Sequence, residues 1–301
     1  MHIETLKIFC DLVDTQSFSL AAERNFVTQS AVSQQVRNLE EKFKRRLLER
    51  VRGRREVKLT NAGEVFYQEC RNVLVSYDQL HENMRGLSGQ VSGVVRVATV
   101  YSVGLHELPA KVREFMTKFP AAKIDLEYSR TTRVVRDVLQ GTVEIGVVAY
   151  PEPRRGLTIV QMPGDKLVLI CPPTHEFAKL KKVKATDLNE QDFVLFERDI
   201  PTRKAIDKIL KNYGVTVNKA AEFDNIETIK RAVEVGFGLA IVPRPSVLDE
   251  QRSGQLAVIP LAEPEWTRNV GIIYRSDRTL SLAAKKFVQL LADKEAGEAK
   301  A

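Results

Sequence analysis

Five polar side chains that can exchange hydrogen bonds with nucleic-acid bases or phosphates occur close together near the N-terminus. They are Gln29, Ser30, Ser33, Gln34 and Arg37. Apolar residues interleave with them at spacings of three and four, which places the five polar residues on the outer face of a helix. Glutamine, serine and arginine carry donors and acceptors that can read base edges in the major groove. We therefore predict a DNA-binding face here, with an ordinary polar surface as the alternative.

A cluster of positive charge follows directly. Residues 42–58 hold nine lysines and arginines against two glutamates, so this segment alone accounts for the formal net charge of +7 of the 301-residue chain. Two short strands are predicted at 45–51 and 56–60, joined around Gly53, whose backbone freedom suits a hairpin turn. The tip of this predicted wing would contact DNA phosphates or the minor groove. Its arginines are Arg52, Arg54 and Arg55.

Hydroxyl side chains form a second candidate site in the C-terminal two-thirds of the chain. Each one follows a predicted strand or begins a predicted helix, and together they are Ser102, Thr131, Thr132, Tyr150 and Thr202. Small ligands of open α/β sheets bind at the carboxyl ends of strands, often facing helix N-termini. We predict an anionic metabolite, to which Arg130 and Arg133 could add positive charge. Taken singly, each hydroxyl also fits a simple helix cap and each arginine a solvated surface position.

Short helices joined by a tight turn are predicted to position the first polar group. Apolar spacing indicates a first helix from Ile3 onwards, and Ser19 is the expected N-cap of a second helix that ends near Arg24. Thr28 is expected to cap a third helix that starts at Gln29. This is the helix-turn-helix pattern, in which the later helix enters the major groove.

The segment after Thr60 has apolar residues at alternating spacings of four and three. The positions are Phe66, Cys70, Val73, Tyr77, Leu80, Met84 and Leu87. A heptad pattern of this kind predicts a coiled coil between two copies, with packing of the helix on its own domain as the alternative. Glycines and serines between 86 and 93 are expected to end the helix in a hinge. A homodimer would hold two recognition helices at the spacing of two half-sites.

Predicted strands alternate with predicted helices from residue 93 onwards. Strands are expected at 94–100, 124–128, 143–149, 167–171, 193–196, 221–223, 239–242 and 270–274, and helices at 104–119, 132–139, 202–213, 226–235 and 282–291. Such alternation favours a mostly parallel sheet with right-handed crossovers. The last strand and helix are expected to return to the first set, so that the chain crosses between two lobes near residues 163 and 266.

Other classes of protein find little support in the sequence. The three cysteines are far apart without a CxxC spacing, which suits reduced thiols in the cytoplasm and favours neither disulfides nor a metal site. No signal peptide is evident, and no apolar run approaches the ~20 residues that span a bilayer. Nucleophile-elbow, HExxH and Walker motifs do not occur. We therefore predict no enzymatic activity, no metal, no cofactor and no membrane partner.

The N-terminal motifs resemble a known family. Residues 3–67 are similar to the DNA-binding domain of the LysR-type transcriptional regulators. The family's two adjacent alanines correspond to Ala21 and Ala22. Its pattern Thr-Gln-Ser-Ala-Val-Ser-x-Gln-Val-x-x-Leu-Glu corresponds to residues 28–40, and its later Leu-Thr-x-x-Gly to residues 59–63. The match is long and specific here, and weaker in the C-terminal part.

The resemblance implies an α+β multidomain protein: a winged helix-turn-helix, a linker helix, and two α/β lobes of periplasmic-binding-protein-like type. Expected bounds are 1–60, 61–92 and 93–293, with lobe I at about 93–162 and 267–293, lobe II at about 163–266, and a polar tail at 294–301. The family also implies a homodimer or homotetramer that binds double-stranded DNA, a small-molecule effector and RNA polymerase. Family hydroxyls at positions matching Ser102, Thr132 and Thr202 often hold anionic effectors.

The predicted function is thus a DNA-binding transcription regulator controlled by a small, anionic effector. One alternative is an architectural DNA-binding protein whose C-terminal module only oligomerises, and which no ligand would stabilise. Another is a solute-binding or enzymatic α/β protein with an incidental N-terminal helix pair, which would lack sequence-selective, salt-dependent DNA binding.

Overall fold

A computed structural model describes residues 1–49, 57–86 and 90–293 of the chain. The chain divides into two compact units, one of Met1–Ser88 with Gln140–Thr142, the other of Gly89–Leu139 with Val143–Ala301. In these described ranges, no helix combines the length and the apolar character needed to cross a membrane.

In its described residues, the N-terminal unit contains four helices and two short paired strands. In chain order they are α1 (Ile3–Thr15), α2 (Phe18–Arg24), α3 (Gln29–Phe43), β1 (Leu48–Glu49), β2 (Lys58–Leu59) and α4 (Asn61–Gly86). Apolar residues of α1 and α3 meet in one core, which includes Phe9, Leu12, Val32 and Val36. Ala21 is fully buried in the same core.

Two polar side chains cap the helices of the helix-turn-helix. The hydroxyl of Thr28 accepts a hydrogen bond from the amide of Ala31 over 3.2 Å, which confirms the predicted start of α3. The predicted cap of α2 is wrong by two residues. Ser17 accepts from the amide of Leu20 over 3.3 Å, while Ser19 lies exposed inside the helix. The extended backbone of Ser17 allows this bond, because an N-cap residue precedes the helical dihedral angles.

Glu40 and Gly63 hold the paired strands β1 and β2 close to the helices. Leu48 pairs antiparallel with Leu59, as the predicted wing requires. One carboxylate oxygen of Glu40 accepts from the amides of Leu47 and Leu48. A Cβ at Gly63 would lie 2.0 Å from the carbonyl oxygen of Leu47, so only glycine allows α4 to approach so closely. The predicted turn, with Arg52, Arg54 and Arg55, lies outside the described residues.

The second unit alternates strands and helices. In chain order it contains β3 (Gly93–Thr99), α5 (Tyr101–His106), α6 (Leu108–Lys118), β4 (Ala122–Tyr128), α7 (Thr131–Gln140), β5 (Ile145–Ala149), β6 (Leu157–Gln161), β7 (Asp165–Cys171), β8 (Asp192–Phe196), α8 (Pro201–Asn212), β9 (Asn218–Phe223), α9 (Ile226–Glu234), β10 (Ala240–Pro243), α10 (Leu248–Ser253), β11 (Ala257–Pro260), β12 (Thr267–Arg268), β13 (Val270–Arg275) and α11 (Leu282–Ala292).

The first sheet of this unit has five strands in the order β4-β3-β5-β13-β6. Strand β3 runs parallel to β4 and β5, while β13 runs antiparallel to β5 and β6. The return of β13 to this sheet is confirmed. Strand β6 pairs antiparallel with β13 and therefore runs in the same direction as β3, β4 and β5. This sheet is thus mostly parallel, as expected, and β13 is the strand that runs the other way.

The remaining strands belong to the second lobe. Strand β7 pairs antiparallel with β10, β11 and β12, and β8 pairs parallel with β9. Strands β6, β11 and β12 were not predicted, since the strand–helix alternation does not require them. The helix predicted at 104–119 is divided into α5 and α6. Pro109 lies in the first turn of α6, and a proline lacks the amide hydrogen needed to continue α5.

Candidate functional site

The predicted DNA-binding residues lie on the solvent side of α3. Gln29, Ser30, Gln34 and Arg37 are exposed and Ser33 is half-buried, opposite the buried Val32, Val36 and Leu39. The side-chain Nε2 of Gln34 donates over 2.9 Å to Oδ1 of Asn38, which lies one turn further along the same face. Sequence reasoning missed Asn38, although its spacing of four from Gln34 was a usable signal.

The predicted dimer seam on α4 contains both exposed and buried residues. Val73, Tyr77, Leu80 and Met84 are exposed, with 57% of Leu80 and 62% of Met84 open to solvent. Leu87 lies outside the described residues.

The first two seam positions require a correction. Cys70 is only 2% exposed and belongs to the core of its own unit, so it cannot pack against a second copy as predicted. Phe66 is half-buried and packs against Phe9 and Phe43, with ring centroids 5.1 and 5.0 Å apart. The same heptad spacing covers two parts of α4: the first packs on its own unit, and the second is exposed. The sequence pattern alone therefore does not distinguish them.

The second unit contains a cavity of about 260 Å³, with which the predicted effector residues can be compared. Its lining includes residues that end or directly follow five parallel strands, β3, β4, β5, β8 and β9. The N-terminal ends of α7, α8 and α9 also contribute to it, through Thr131, Pro201 and Ile226. The cavity thus lies at the carboxyl edge of strands from both lobes, where α/β folds commonly bind ligands.

Four of the five predicted hydroxyl residues are brought together here. Ser102, Thr131, Thr132 and Thr202 line the cavity, joined by Ser129, which was not predicted. Tyr150 is the exception and is not among the lining residues. Its hydroxyl donates to the carbonyl oxygen of Thr267 over 3.1 Å, and burial raises the pKa of Tyr150 to about 12. The structure thus places Tyr150 against β12 and outside the cavity lining, apart from the other predicted effector residues.

Arg130 lines the cavity but already has partners. Its guanidinium donates to carboxylates of Glu197, Asp199 and Asp224 over 2.8, 3.1 and 3.3 Å. Hydrogen bonds from Asp224 and Glu197 raise the pKa of Arg130. Arg133 is 63% exposed and pairs with Asp137 over 3.4 Å. The two arginines that were expected to serve a ligand are thus both compensated by neighbouring carboxylates.

Arg268 is a further residue near the cavity that no sequence pattern indicated. This arginine is fully buried and forms ion pairs with Asp165 and Glu107. It also donates from Nη1 to the hydroxyl of Ser102 over 2.9 Å. Burial raises the pKa of Glu107 to about 7, against the opposing effect of the Arg268 charge. No local pattern marks such an arginine, because its three partners are more than a hundred residues away in the chain.

Metal chemistry has no evident basis in the described ranges. There, no group of three histidine, cysteine, aspartate or glutamate side chains is placed to hold a metal ion. Cys10, Cys70 and Cys171 are free and buried.

Comparisons with known proteins match both units. The family model described as "LysR substrate binding domain" matches residues 88–296, and that described as "Bacterial regulatory helix-turn-helix protein, lysR family" matches residues 3–64. A "Probable RuBisCO transcriptional regulator" of Cyanidioschyzon merolae is 30% identical over 95% of this chain and 96% of its own length.

Solved structures show the same fold over nearly the whole chain. A full-length OxyR variant from Pseudomonas aeruginosa superposes with a TM-score of 0.77 at 22% identity, covering 97% of this chain and 94% of that one. Full-length CbnR, solved with its target DNA, gives a TM-score of 0.74 at 22% identity, covering 97% of this chain and 99% of that one. With both units matched to the two halves of one architecture, the chain belongs to the LysR family of DNA-binding transcription regulators.

Proposed function

We propose that this regulator is controlled by a small anionic effector that binds in the cavity lined by Ser102, Thr131, Thr132 and Thr202. One observation carries the proposal: hydroxyl side chains and three helix N-termini from both lobes converge on one cavity. The first amides of a helix lack partners within the helix, and the helix dipole adds partial positive charge there. An anion gains from both effects.

Arg130 would contribute charge through a change of partners. Its guanidinium is shared by three carboxylates, each of which an anionic ligand could replace. Contacts of half-exposed groups of this kind are individually weak, so replacing one costs little. The effector would then be held by residues of both lobes.

Effector binding in the cavity would influence DNA binding through a change in the arrangement of the protein. A ligand biases DNA binding only by the difference between its affinities for the two arrangements of the protein. We propose that Gln29, Ser30, Ser33, Gln34 and Arg37 face base edges, and that Arg52, Arg54 and Arg55 contact phosphates. The proposed dimer contact uses the exposed seam of Val73, Tyr77, Leu80 and Met84, continued by Leu87.

The wider setting of the proposal follows the family. We propose domain bounds of 1–60, 61–92 and 93–293, and a homodimer or homotetramer that acts in the cytoplasm on double-stranded DNA and RNA polymerase. An architectural role without an effector is the competing possibility.

Titration calorimetry of the full chain tests the effector. The panel comprises inorganic phosphate, sulfate, di- and tricarboxylic acids, and neutral sugars as controls. We expect at least one anion to bind, and Thr132→Val, which removes a hydroxyl at nearly constant volume, to weaken it about tenfold or more. Binding of neutral compounds alone would contradict the anionic assignment, and absence of any ligand-induced thermal stabilisation would favour the architectural alternative.

Selection of bound genomic fragments tests the DNA-binding part and would identify the operator. Sequence-selective binding that weakens steeply with salt is expected. Binding that does not distinguish sequences would count against base recognition by α3.

A further inference from the structure

Arg268 lies where the chain passes between the two lobes. It is on β12, paired in register with Asp165 at the start of β7. These two strands lead out of and back towards the first sheet, whose last strands along the chain are β6 and β13. The guanidinium is fully buried, and a buried charge persists only when it is well paired.

The partners of Arg268 fall into two kinds. Nε donates to both carboxylate oxygens of Asp165, over 3.0 and 3.1 Å, and Nη2 contacts Asp165 and Glu107. These contacts neutralise and fix the guanidinium. The remaining nitrogen, Nη1, donates over 2.9 Å to a neutral group, the hydroxyl of Ser102. Ser102 lines the cavity, so the buried cluster extends to the proposed ligand site.

This last bond determines what the Ser102 hydroxyl can do. A guanidinium has donors and no acceptor, so the Ser102 oxygen must accept from Arg268. The proton of that hydroxyl cannot point back at Arg268 and is free to donate elsewhere. Arg268 takes one lone pair of the Ser102 oxygen and turns the hydroxyl proton away from the guanidinium, so a ligand acceptor in the cavity can receive that proton. A negatively charged oxygen makes the strongest such bond.

We propose that Arg268 is a positioning residue: it holds the Ser102 hydroxyl as a donor, and so selects effectors that present a carboxylate or other anionic oxygen at that point. The inference rests on the proposed function and specifies the chemistry of one ligand atom. Arg268 itself does not touch the ligand. Its anchoring to Asp165 and Glu107 prepares the hydroxyl before binding, which lowers the entropic cost of fixing it.

A purely structural role is the competing explanation, in which Arg268 only neutralises two buried carboxylates. A double-mutant cycle separates the two. Ser102→Ala is combined with Arg268→Lys, which keeps the charge and loses the planar fork that bonds several partners at once. Thr132→Val, at a lining residue with no bond to Arg268, serves as the matched control in both backgrounds.

The readout is the Kd of inorganic phosphate and of a dicarboxylate, measured by titration of the full chain. With Arg268 present, Ser102→Ala should weaken anion binding about ten- to a hundredfold. In the Arg268→Lys background the same change should cost less than about threefold, while Thr132→Val costs the same in both. If Arg268→Lys does not fold, Arg268→Gln with Asp165→Asn removes the pair together and replaces it in the cycle.

The outcomes distinguish this inference from the function on which it rests. If anions bind and Ser102→Ala costs equally in both backgrounds, Arg268 is structural and only the inference fails. If Ser102→Ala has no effect although anions bind, the hydroxyl is not a ligand donor and the inference fails again. If neither probe nor any other anion binds the unmodified chain, the proposed function fails and the inference falls with it.

Discussion

Arg130 donates from Nη2 to Glu197 over 2.8 Å, and this contact joins a residue that follows β4 to one that follows β8. Asp199 and Asp224 complete a group of three carboxylates around one guanidinium at the edge of the cavity. His106 makes a second connection of this kind, with its Nε2 2.8 Å from a carboxylate oxygen of Glu227. The two lobes are therefore linked by polar contacts between side chains, and Arg130 makes its contacts at the cavity itself.

Removing the Arg130 charge should weaken binding of an anion in the cavity. In Arg130→Gln the three carboxylates lose their common partner and repel an incoming anion, so we expect roughly a tenfold rise in Kd. Titration calorimetry measures it. Arg113→Gln changes the net charge equally at an exposed residue of α6 that does not line the cavity, and should leave Kd unchanged. Equal effects of both variants would show that only the overall charge matters.

Glu107 should make stability depend on pH. Burial raises its pKa from the model-peptide value of 4.5 to about 7 in the folded chain. The folded state thus binds this proton more tightly than the unfolded state, so the contribution is complete below about pH 4.5 and is lost as pH rises towards and through 7. Glu107→Gln should remove this dependence. The unfolding free energy of the variant, relative to that of the unmodified chain, should be higher at pH 8 than at pH 5 by about 3 kcal/mol at most.

Urea unfolding of the two proteins at pH 5 and pH 8 measures the Glu107 effect. Exposed Glu152 supplies the control, because Glu152→Gln should reproduce the pH dependence of the unmodified chain. A Glu107→Gln curve parallel to that of the unmodified chain would contradict the assignment of this proton to Glu107.

The two groups of DNA-binding residues should fail in different ways. Arg54→Ala should weaken binding to all sequences and reduce the salt slope by about one, as expected for one lost phosphate contact. Gln29→Ala and Ser33→Ala should instead relax base preference by about 1–3 kcal/mol at one position. Binding assays on the selected operator and on unrelated duplexes, at several salt concentrations, make the comparison. Equal losses on every sequence for all variants would refute the recognition-helix assignment.

Oligomerisation should depend on the exposed seam of α4. The chain mass is 34.0 kDa, so a dimer or larger assembly should have at least twice that mass in solution. Leu80→Gln with Met84→Gln should lower the mass towards that of the monomer, since both apolar side chains are exposed in the single chain. Asp78→Ser lies off the seam and should preserve the assembly. A strictly monomeric unmodified chain in light scattering would remove the basis of the dimer proposal.

The parts of the fold that the sequence predicted well are local. The apolar stripe of Val32 and Val36 and the cap at Thr28 depend on spacing within one or two helical turns, and α3 has both. The cavity hydroxyls Ser102 and Thr132 were also predictable, because a residue that follows a parallel strand lies at the sheet's carboxyl edge whatever its neighbours are.

Cys70 and Tyr150 show where local sequence patterns do not predict a side chain's contacts. Cys70 has the spacing of the predicted dimer seam, yet it is buried in its own unit. The N-terminal part of α4 packs on α1, and the exposed seam residues lie further along the helix. Tyr150 follows a strand as Thr132 does, yet its hydroxyl bonds the carbonyl of Thr267. In both, the partner is distant in sequence.

By itself the sequence determined the family, the helix-turn-helix, the order of most strands and helices, and the hydroxyls of the candidate ligand site. Only the tertiary structure decided which strands run antiparallel, which seam residues are exposed, and that Arg268 meets Ser102, Glu107 and Asp165. The physical reason is range. Helix periodicity and capping arise from neighbours a few residues apart, whereas the pairing of a buried charge depends on which distant segments the packed chain brings within hydrogen-bond distance.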